Sequence, residues 1–206
     1  MNLPSSSKLD KFLPKTKFYS RVFVNQKLKD EFVKDVKKII WKYKISEETV
    51  SIEKTEKVEE IQIFEVELKQ KEIPEKILRV IDRSIPYPIL FVIRYGEDWK
   101  YVIALKEGGT IKNYYTTDWN EDVDFDFNGI NLEKVYQKII KKLIKNINTE
   151  NEDFGQAVEK DDKIKTLKQE VVRLENKLKK EKQFNRQVEL NKELNSKKQE
   201  LNNLTQ

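Results

Sequence analysis

The sequence contains no cysteine and no histidine. Disulfide frameworks, Cys/His zinc sites and nucleophile–histidine triads are therefore excluded, as is every mechanism in which an imidazole moves the proton. Any catalysis has to use Asp, Glu, Lys, Arg, Tyr, Ser or Thr. Glycine and proline occur five times each in 206 residues. The glycines form neither a GxxxxGK[ST] nor a GxGxxG arrangement, so the Gly-rich cradles for polyphosphates are missing. No apolar run approaches the roughly 20 residues that span a bilayer, and residues 1–10 lack a charged-then-apolar leader pattern. A cytoplasmic location without membrane association is expected, and the lack of cysteine fits a reducing compartment. What is abundant is charge: 37% of residues are charged, against roughly 25% in an average soluble protein. The 41 basic and 36 acidic side chains leave only +5, mildly basic rather than polycationic. The length allows one ordinary domain with an appendage, or two small domains.

The hydrophobic pattern predicts an α+β fold with a mixed or largely antiparallel sheet packed by helices, followed by a C-terminal coiled-coil helical arm. Pro4 and Pro14 punctuate an opening segment that reads as an extended arm or short turn. From Asn25, a helix cap, apolar residues recur at Leu28, Phe32, Val36, Ile39, Ile40 and Tyr43, which predicts one amphipathic helix. Val50 and Ile52 suggest a brief strand. Residues 60–69 are too β-branched for a helix and read as a strand. Pro74 opens a helix over 75–84, and Pro86 and Pro88 stop it. Ile89, Leu90, Phe91, Val92 and Ile93 are apolar on both faces, the mark of a central strand. Gly96 and the pair Gly108-Gly109 then punctuate a three-stranded meander. Val123, Phe125 and Phe127 alternate with acids as in a strand, and Asn131 caps a final helix running to about Ile147. These elements place a globular domain over 1–148, a polar linker over 149–162 and the arm over 163–206.

In the arm, Ile164, Leu167, Val171, Leu174 and Leu178 follow the alternating three-and-four spacing of a coiled-coil seam. Leu190, Leu194, Leu201 and Leu204 form a second seam in a different phase. Either the helix bends into a hairpin near residues 182–186, or it stays straight and offers two faces. Leu167, Val171, Leu174, Leu178, Leu194 and Leu201 are the partner-binding or self-association candidates. Acidic and basic residues nearly cancel here, so the arm is not an electrostatic DNA-binding tail.

Three patterns bear on chemistry. Glu67 and Lys69, two apart on a strand, share a face and resemble the acidic-x-Lys pair of PD-(D/E)XK nucleases. In that class the acid holds Mg²⁺ and the lysine activates water. The upstream acid of that class has no clear counterpart among Glu47, Glu48, Glu53 and Glu56. Asp118, Glu121, Asp122, Asp124 and Asp126 form an acidic group without the spacing of an EF-hand loop. Lys8, Lys11, Lys15, Lys17, Phe18, Tyr19 and Arg21 interleave basic and aromatic residues as a nucleic-acid-binding adaptor would. No metal site and no cofactor are expected outside the nuclease alternative.

Over nearly its whole length the chain also resembles a bacterial family known as domain of unknown function 4391. The resemblance is carried by Glu60-Ile-Gln-Ile-Phe-Glu-Val-Glu-Leu-Lys69 and by Leu78-Arg-Val-Ile-Asp-Arg-Ser-Ile-Pro-Tyr-Pro-Ile-Leu-Phe91. Tyr114, Tyr115, Asp118 and Trp119 add to it, as does Glu181-Lys-Gln-Phe-Asn-Arg-Gln-Val-Glu-Leu-Asn191. The stretch from Ile81 to Pro88 is its most specific piece. The resemblance implies an accessory protein encoded beside helicases and DNA methyltransferases in restriction-like, antiphage loci, and it supplies no catalytic residues. Asp82, Tyr87, Tyr114, Tyr115 and Trp119 are candidates for lining one groove. The expected function is a non-catalytic adaptor of such a DNA-defence system, binding a helicase, nuclease or methyltransferase, with any nucleic acid bound indirectly. A metal-dependent nuclease using Glu67 and Lys69 is the alternative from another class.

Overall fold

The structure is a computed structural model and describes residues 3–145, 147 and 152–205. Lys8–Phe12 (β1) is the outer strand of a sheet in which each strand lies beside its predecessor in sequence. The order continues through β2 (Val36–Ser46), β3 (Glu60–Leu68), β4 (Ile89–Tyr95), β5 (Asp98–Glu107) and β6 (Thr110–Thr116). Every pairing is antiparallel except β3 with β4. A parallel pair needs a crossover, and the segment that carries α4 (Glu75–Ser84) supplies it. With α1 (Thr16–Tyr19), α2 (Gln26–Asp35), α3 (Glu47–Val50) and α5 (Leu132–Leu143) the chain is α+β with a mixed sheet. α6 (Phe154–Lys180) and α7 (Phe184–Thr205) follow as a helical arm.

The helix expected to run from Asn25 through Tyr43 stops at Asp35, and the remainder is β2. The cap is as expected: Asn25 Oδ1 accepts the Leu28 N–H at 2.9 Å. The change from helix to strand at Val36 has a physical cause. Val36 pairs with Leu68 but Lys38 with Glu67, and Trp41 pairs with Phe64 but Tyr43 with Ile63, so Lys37 and Lys42 are extra residues in the strand. A bulge shifts the alternation by one, and it brings Val36 and Ile39, three apart, into the same buried cluster. Two bulges thus imitate helical spacing. The opening segment, expected as an extended arm or short turn, is extended and is hydrogen-bonded into the sheet as its edge strand β1. Asp10 there has φ 46, and its carboxylate lies 3.0 Å from Lys8 and 2.6 Å from Lys42. Charges and an irregular register are what discourage an edge strand from pairing with another chain. Residues 51–59 hold no strand, and Val123, Phe125 and Phe127 lie in irregular chain outside the sheet.

The central position expected for residues 89–93 is observed: Ile89, Leu90, Phe91 and Ile93 are fully buried. On one face of the sheet, Phe64, Val66 and Leu68 of β3 pack with Phe18, Phe32, Ile77, Leu78 and Ile81. On the other, α5 lies against β3 and β6. Asn131 caps α5 as expected, accepting the Lys134 N–H at 2.9 Å. Gly108 and Gly109 both have positive φ, 54° and 77°, the conformation of a two-residue hairpin turn that glycine adopts without steric cost.

β4–β5 pairing ends with Leu90 opposite Ile103. Beyond that point the Tyr136 hydroxyl of α5 completes the backbone bonding, donating to the Ala104 carbonyl at 2.5 Å and accepting the Lys106 N–H at 2.8 Å. Burial pushes its phenol far above the ordinary value, so it stays a neutral donor.

The chain divides into two compact units, Met1–Leu143 and Ile144–Gln206. In the second, the helix breaks after Lys180 and resumes at Phe184. Of the two arrangements open for the arm, the hairpin is the one formed. Lys163 pairs with Glu200 at 3.1 Å, Glu170 with Lys197 at 3.0 Å and Glu175 with Lys198 at 2.7 Å, an antiparallel register. The polar stretch assigned to a linker is helical from Phe154 onward, with Asp153 capping Gly155 N at 2.9 Å. Residues 148–151, where the domain boundary and the start of that linker were placed, lie outside the described residues.

Because Tyr136 serves two buried backbone groups, Tyr136→Phe should destabilise the first unit by about 1–3 kcal/mol. Urea unfolding followed by circular dichroism reads the shift in midpoint.

Candidate functional site

Residues 81–88 are the most distinctive local sequence, and their structural role centres on a lysine. Lys106, at the buried end of β5, sends its ammonium to the exit of α4. Its Nζ donates to the carbonyls of Asp82 at 2.9 Å, Ile85 at 3.1 Å and Tyr87 at 2.8 Å. It also lies 3.0 Å from Asp82 Oδ1. The other Asp82 oxygen accepts from the Tyr114 hydroxyl at 2.6 Å. Side-chain exposure is 0% for Asp82 and 7% for Lys106. Burial pushes the Asp82 carboxyl up and the Lys106 ammonium down from their ordinary values, and each charge pulls the other back. Burial and the Asp82 charge push the Tyr114 phenol far up, so it remains a donor. The Arg79 guanidinium lies 5.4 Å from the Tyr114 ring centre and bonds Glu75 at 2.7 Å, screening the cluster from solvent. A cation on the last carbonyls of a helix opposes the negative end of its dipole. The arrangement therefore fixes α4 and the Pro-Tyr-Pro turn to the sheet.

Of the five groove candidates, the structure joins Asp82 and Tyr114 directly. Tyr115, the next residue along β6, faces the opposite side of the sheet and is 3% exposed. Trp119 is half-buried against the core, with the ammonium groups of Lys71 and Lys100 at 5.4 Å and 5.0 Å from its ring centre. Tyr87 lines a separate pocket of about 270 Å³ with Trp41, Glu60 and Gln62. The pattern missed Lys106 and Tyr136. The available signal for the lysine was its position directly after the apolar Val102, Ile103, Ala104 and Leu105.

Glu67 lies at the end of β3 with its two oxygens 2.6 Å from Lys37 and 3.0 Å from Lys38. Hydrogen bonds from these lysines hold its carboxyl below the ordinary range. Lys69, one residue past the strand, donates instead to the Val33 carbonyl at 2.8 Å. The acid of the proposed acid–lysine pair is thus engaged by neighbouring lysines and the lysine by backbone. Among the described residues there is no group of three or more acidic side chains placed to hold a metal ion.

In the acidic stretch, Asp126 accepts from Lys138 at 2.6 Å and from the Asn128 N–H at 2.9 Å. Of the basic and aromatic residues near the N-terminus, Phe18 is buried and Tyr19 packs edge-on against Phe32 at 5.4 Å. The Lys15 ammonium is spent on the Val36 carbonyl.

In the arm, Leu167, Leu174 and Leu194 are buried at 3%, 2% and 5% exposure, while Val171, Leu178 and Leu201 are half-buried. The Glu170–Lys197 register sets Leu167 level with Leu201, Leu174 with Leu194 and Leu178 with Leu190, to within a residue or two. The two out-of-phase seams are the two halves of one hairpin.

A family model described as Domain of unknown function (DUF4391) matches residues 1–201. The chain belongs to this family. The match runs through the first compact unit of this DUF4391 protein and into the second as far as residue 201. No curated protein and no solved structure matches it. Among the described residues no helix is long and apolar enough to cross a membrane.

Lys106→Met leaves the Asp82 carboxylate buried without its counter-ion and should cost about 3–5 kcal/mol. Adding Asp82→Leu should recover part of that loss, because neighbouring substitutions are not additive. Chemical denaturation of the three variants measures the coupling. Asp126 has its pKa lowered to about 2, so the stability it contributes is present at neutral pH and is lost as the pH falls through the ordinary carboxylate range toward 2. Carboxyl chemical shifts against pH should place its midpoint well below the ordinary carboxylate range, and Lys138→Met should move it up.

Proposed function

We propose that this DUF4391 protein is a non-catalytic interaction subunit of a bacterial DNA-defence, restriction-like system. It would engage a helicase, nuclease or methyltransferase through its C-terminal hairpin. The observation that carries the reading is the division of apolar residues in the arm. The seam leucines are spent inside the hairpin, yet Phe184 is 75% exposed, Val172 56% and Val188 38%. Phe184 and Val188 are four apart near the start of α7, hence on one helical face. An aromatic held out at a helix start is the kind of anchor that protein interfaces bury. The engagement of Glu67 by Lys37 and Lys38 also favours a binding role over hydrolysis, since a metal would have to displace two ammonium groups.

Affinity purification from the native host, with quantitative mass spectrometry, tests the reading. The intact chain should enrich a helicase, nuclease or methyltransferase at least tenfold over a Phe184→Glu/Val188→Glu variant whose circular dichroism is unchanged. Equal recovery by both chains would remove the hairpin as the docking element. Mg²⁺-dependent DNA cleavage lost in Glu67→Gln would establish the nuclease instead.

A further inference from the structure

The core face of β3 begins with two residues that the packing of the core does not require. Glu60 and Gln62 alternate in register with Phe64, Val66 and Leu68, so they point to the face where α1, α2 and α4 pack. They are 9% and 5% exposed. The Gln62 amide donates to Glu60 Oε1, and Lys44 reaches Glu60 Oε2 at 3.3 Å. Placing a carboxylate and a carboxamide among apolar side chains costs stability unless they are bonded, and local departures from core patterning concentrate where a protein binds something.

What these two groups face is the pocket of about 270 Å³ beside Tyr87. Trp41, Phe64 and Tyr87 supply aromatic wall. The Trp41 indole N–H is committed to the Tyr43 carbonyl at 3.0 Å, so the residue offers the pocket carbon surface. Lys17 and Arg21 also line it and are exposed. Arg21 is steered toward it by a 3.3 Å bond from its guanidinium to the Ser84 carbonyl. The volume lies just under the roughly 300 Å³ at which drug-sized ligand pockets begin, room for one planar ring system with its substituent leaving toward solvent.

We infer that this pocket binds a nucleotide, with an amino-bearing base against the aromatic wall, its amino group donating to Glu60 or Gln62, and its phosphate at Lys17 and Arg21. Each part of the ligand answers one feature of the pocket. A flat ring matches aromatic surface, a donor matches a buried acceptor, and an anion matches cations at the mouth. The nucleotide can be free or part of a single strand. Every residue of this site belongs to the first unit, and the inference does not depend on the adaptor reading.

Isothermal titration of the full chain with AMP, CMP, UMP, adenosine and inorganic phosphate tests it. AMP or CMP should bind saturably with Kd below about 1 mM, with UMP and adenosine each at least tenfold weaker. Lys17→Gln/Arg21→Gln, which alters only exposed side chains, should bring AMP down to the affinity of adenosine. Gln62→Leu should weaken AMP and CMP toward UMP. Absence of saturable binding by any nucleotide overturns the inference. So does phosphate binding as tightly as AMP, or the double variant binding AMP as the unaltered chain does. A short oligoadenylate binding tenfold tighter than AMP identifies the source as a strand, and equal affinity identifies the free nucleotide.

Discussion

The fold of the first unit is organised around one buried ammonium. Lys106 stands where three things have to meet: the end of β4–β5 pairing, the C-terminus of α4 and the turn that returns the chain to β4. Its Nζ takes the Asp82, Ile85 and Tyr87 carbonyls while its backbone N–H takes the Tyr136 hydroxyl. One residue therefore bonds to the helices on both sides of the sheet. Without it, the carbonyls at the exit of α4 would be buried and unpaired, which is expensive in a low-dielectric interior. The Asp82 carboxylate supplies the compensating charge, and Tyr114 holds that carboxylate from the other side. The prolines at 86 and 88 belong to the same device, since they end the helix and leave its last carbonyls for the lysine.

How much of this was legible in sequence depended on whether the physical cause was local. The caps at Asn25 and Asn131, α4, the β3 and β4 strands and the meander all follow from residues within a few positions of one another, and all are present. The stretch from Val36 to Tyr43 failed because its spacing has a tertiary cause. Lys37 and Lys42 are inserted against a straight β3, and an inserted residue changes an alternation of two into a step of three. That step is indistinguishable from helical spacing until the partner strand is known. Val123, Phe125 and Phe127 failed in the converse way. Their alternation is real, and Phe125 and Phe127 are buried, with Phe125 4.9 Å from the Tyr101 ring, but alternation needs only an extended chain lying on apolar surface, not a ladder of hydrogen bonds.

The candidate sites were less legible, for a related reason. Glu67 and Lys69 are two apart in sequence, but Lys69 falls just beyond the end of β3, and the groups that claim both side chains come from α2 and β2. Asp82 and Tyr114 are both groove candidates by sequence and do touch, yet the lysine that joins them to the sheet carries no mark in the sequence beyond its apolar predecessors. A buried charge is recognised by its partners, and these are 24 and 32 positions apart.

The arm shows how pairing decides what a surface can do. A single helix carrying two seams would leave both open for partners. Folding back at Glu181–Gln183 instead sets one seam against the other, and ion pairs at Glu170–Lys197 and Glu175–Lys198 hold the register. Exposed ion pairs add little stability, about 0–1 kcal/mol each, so the leucines supply the cohesion and the charges choose the alignment. Once Leu167, Leu174 and Leu194 are buried in this way, any association through the arm must use what the hairpin leaves outside. Phe184 sits at the very bend, where an aromatic gains nothing from the seam and can be covered only by something beyond it.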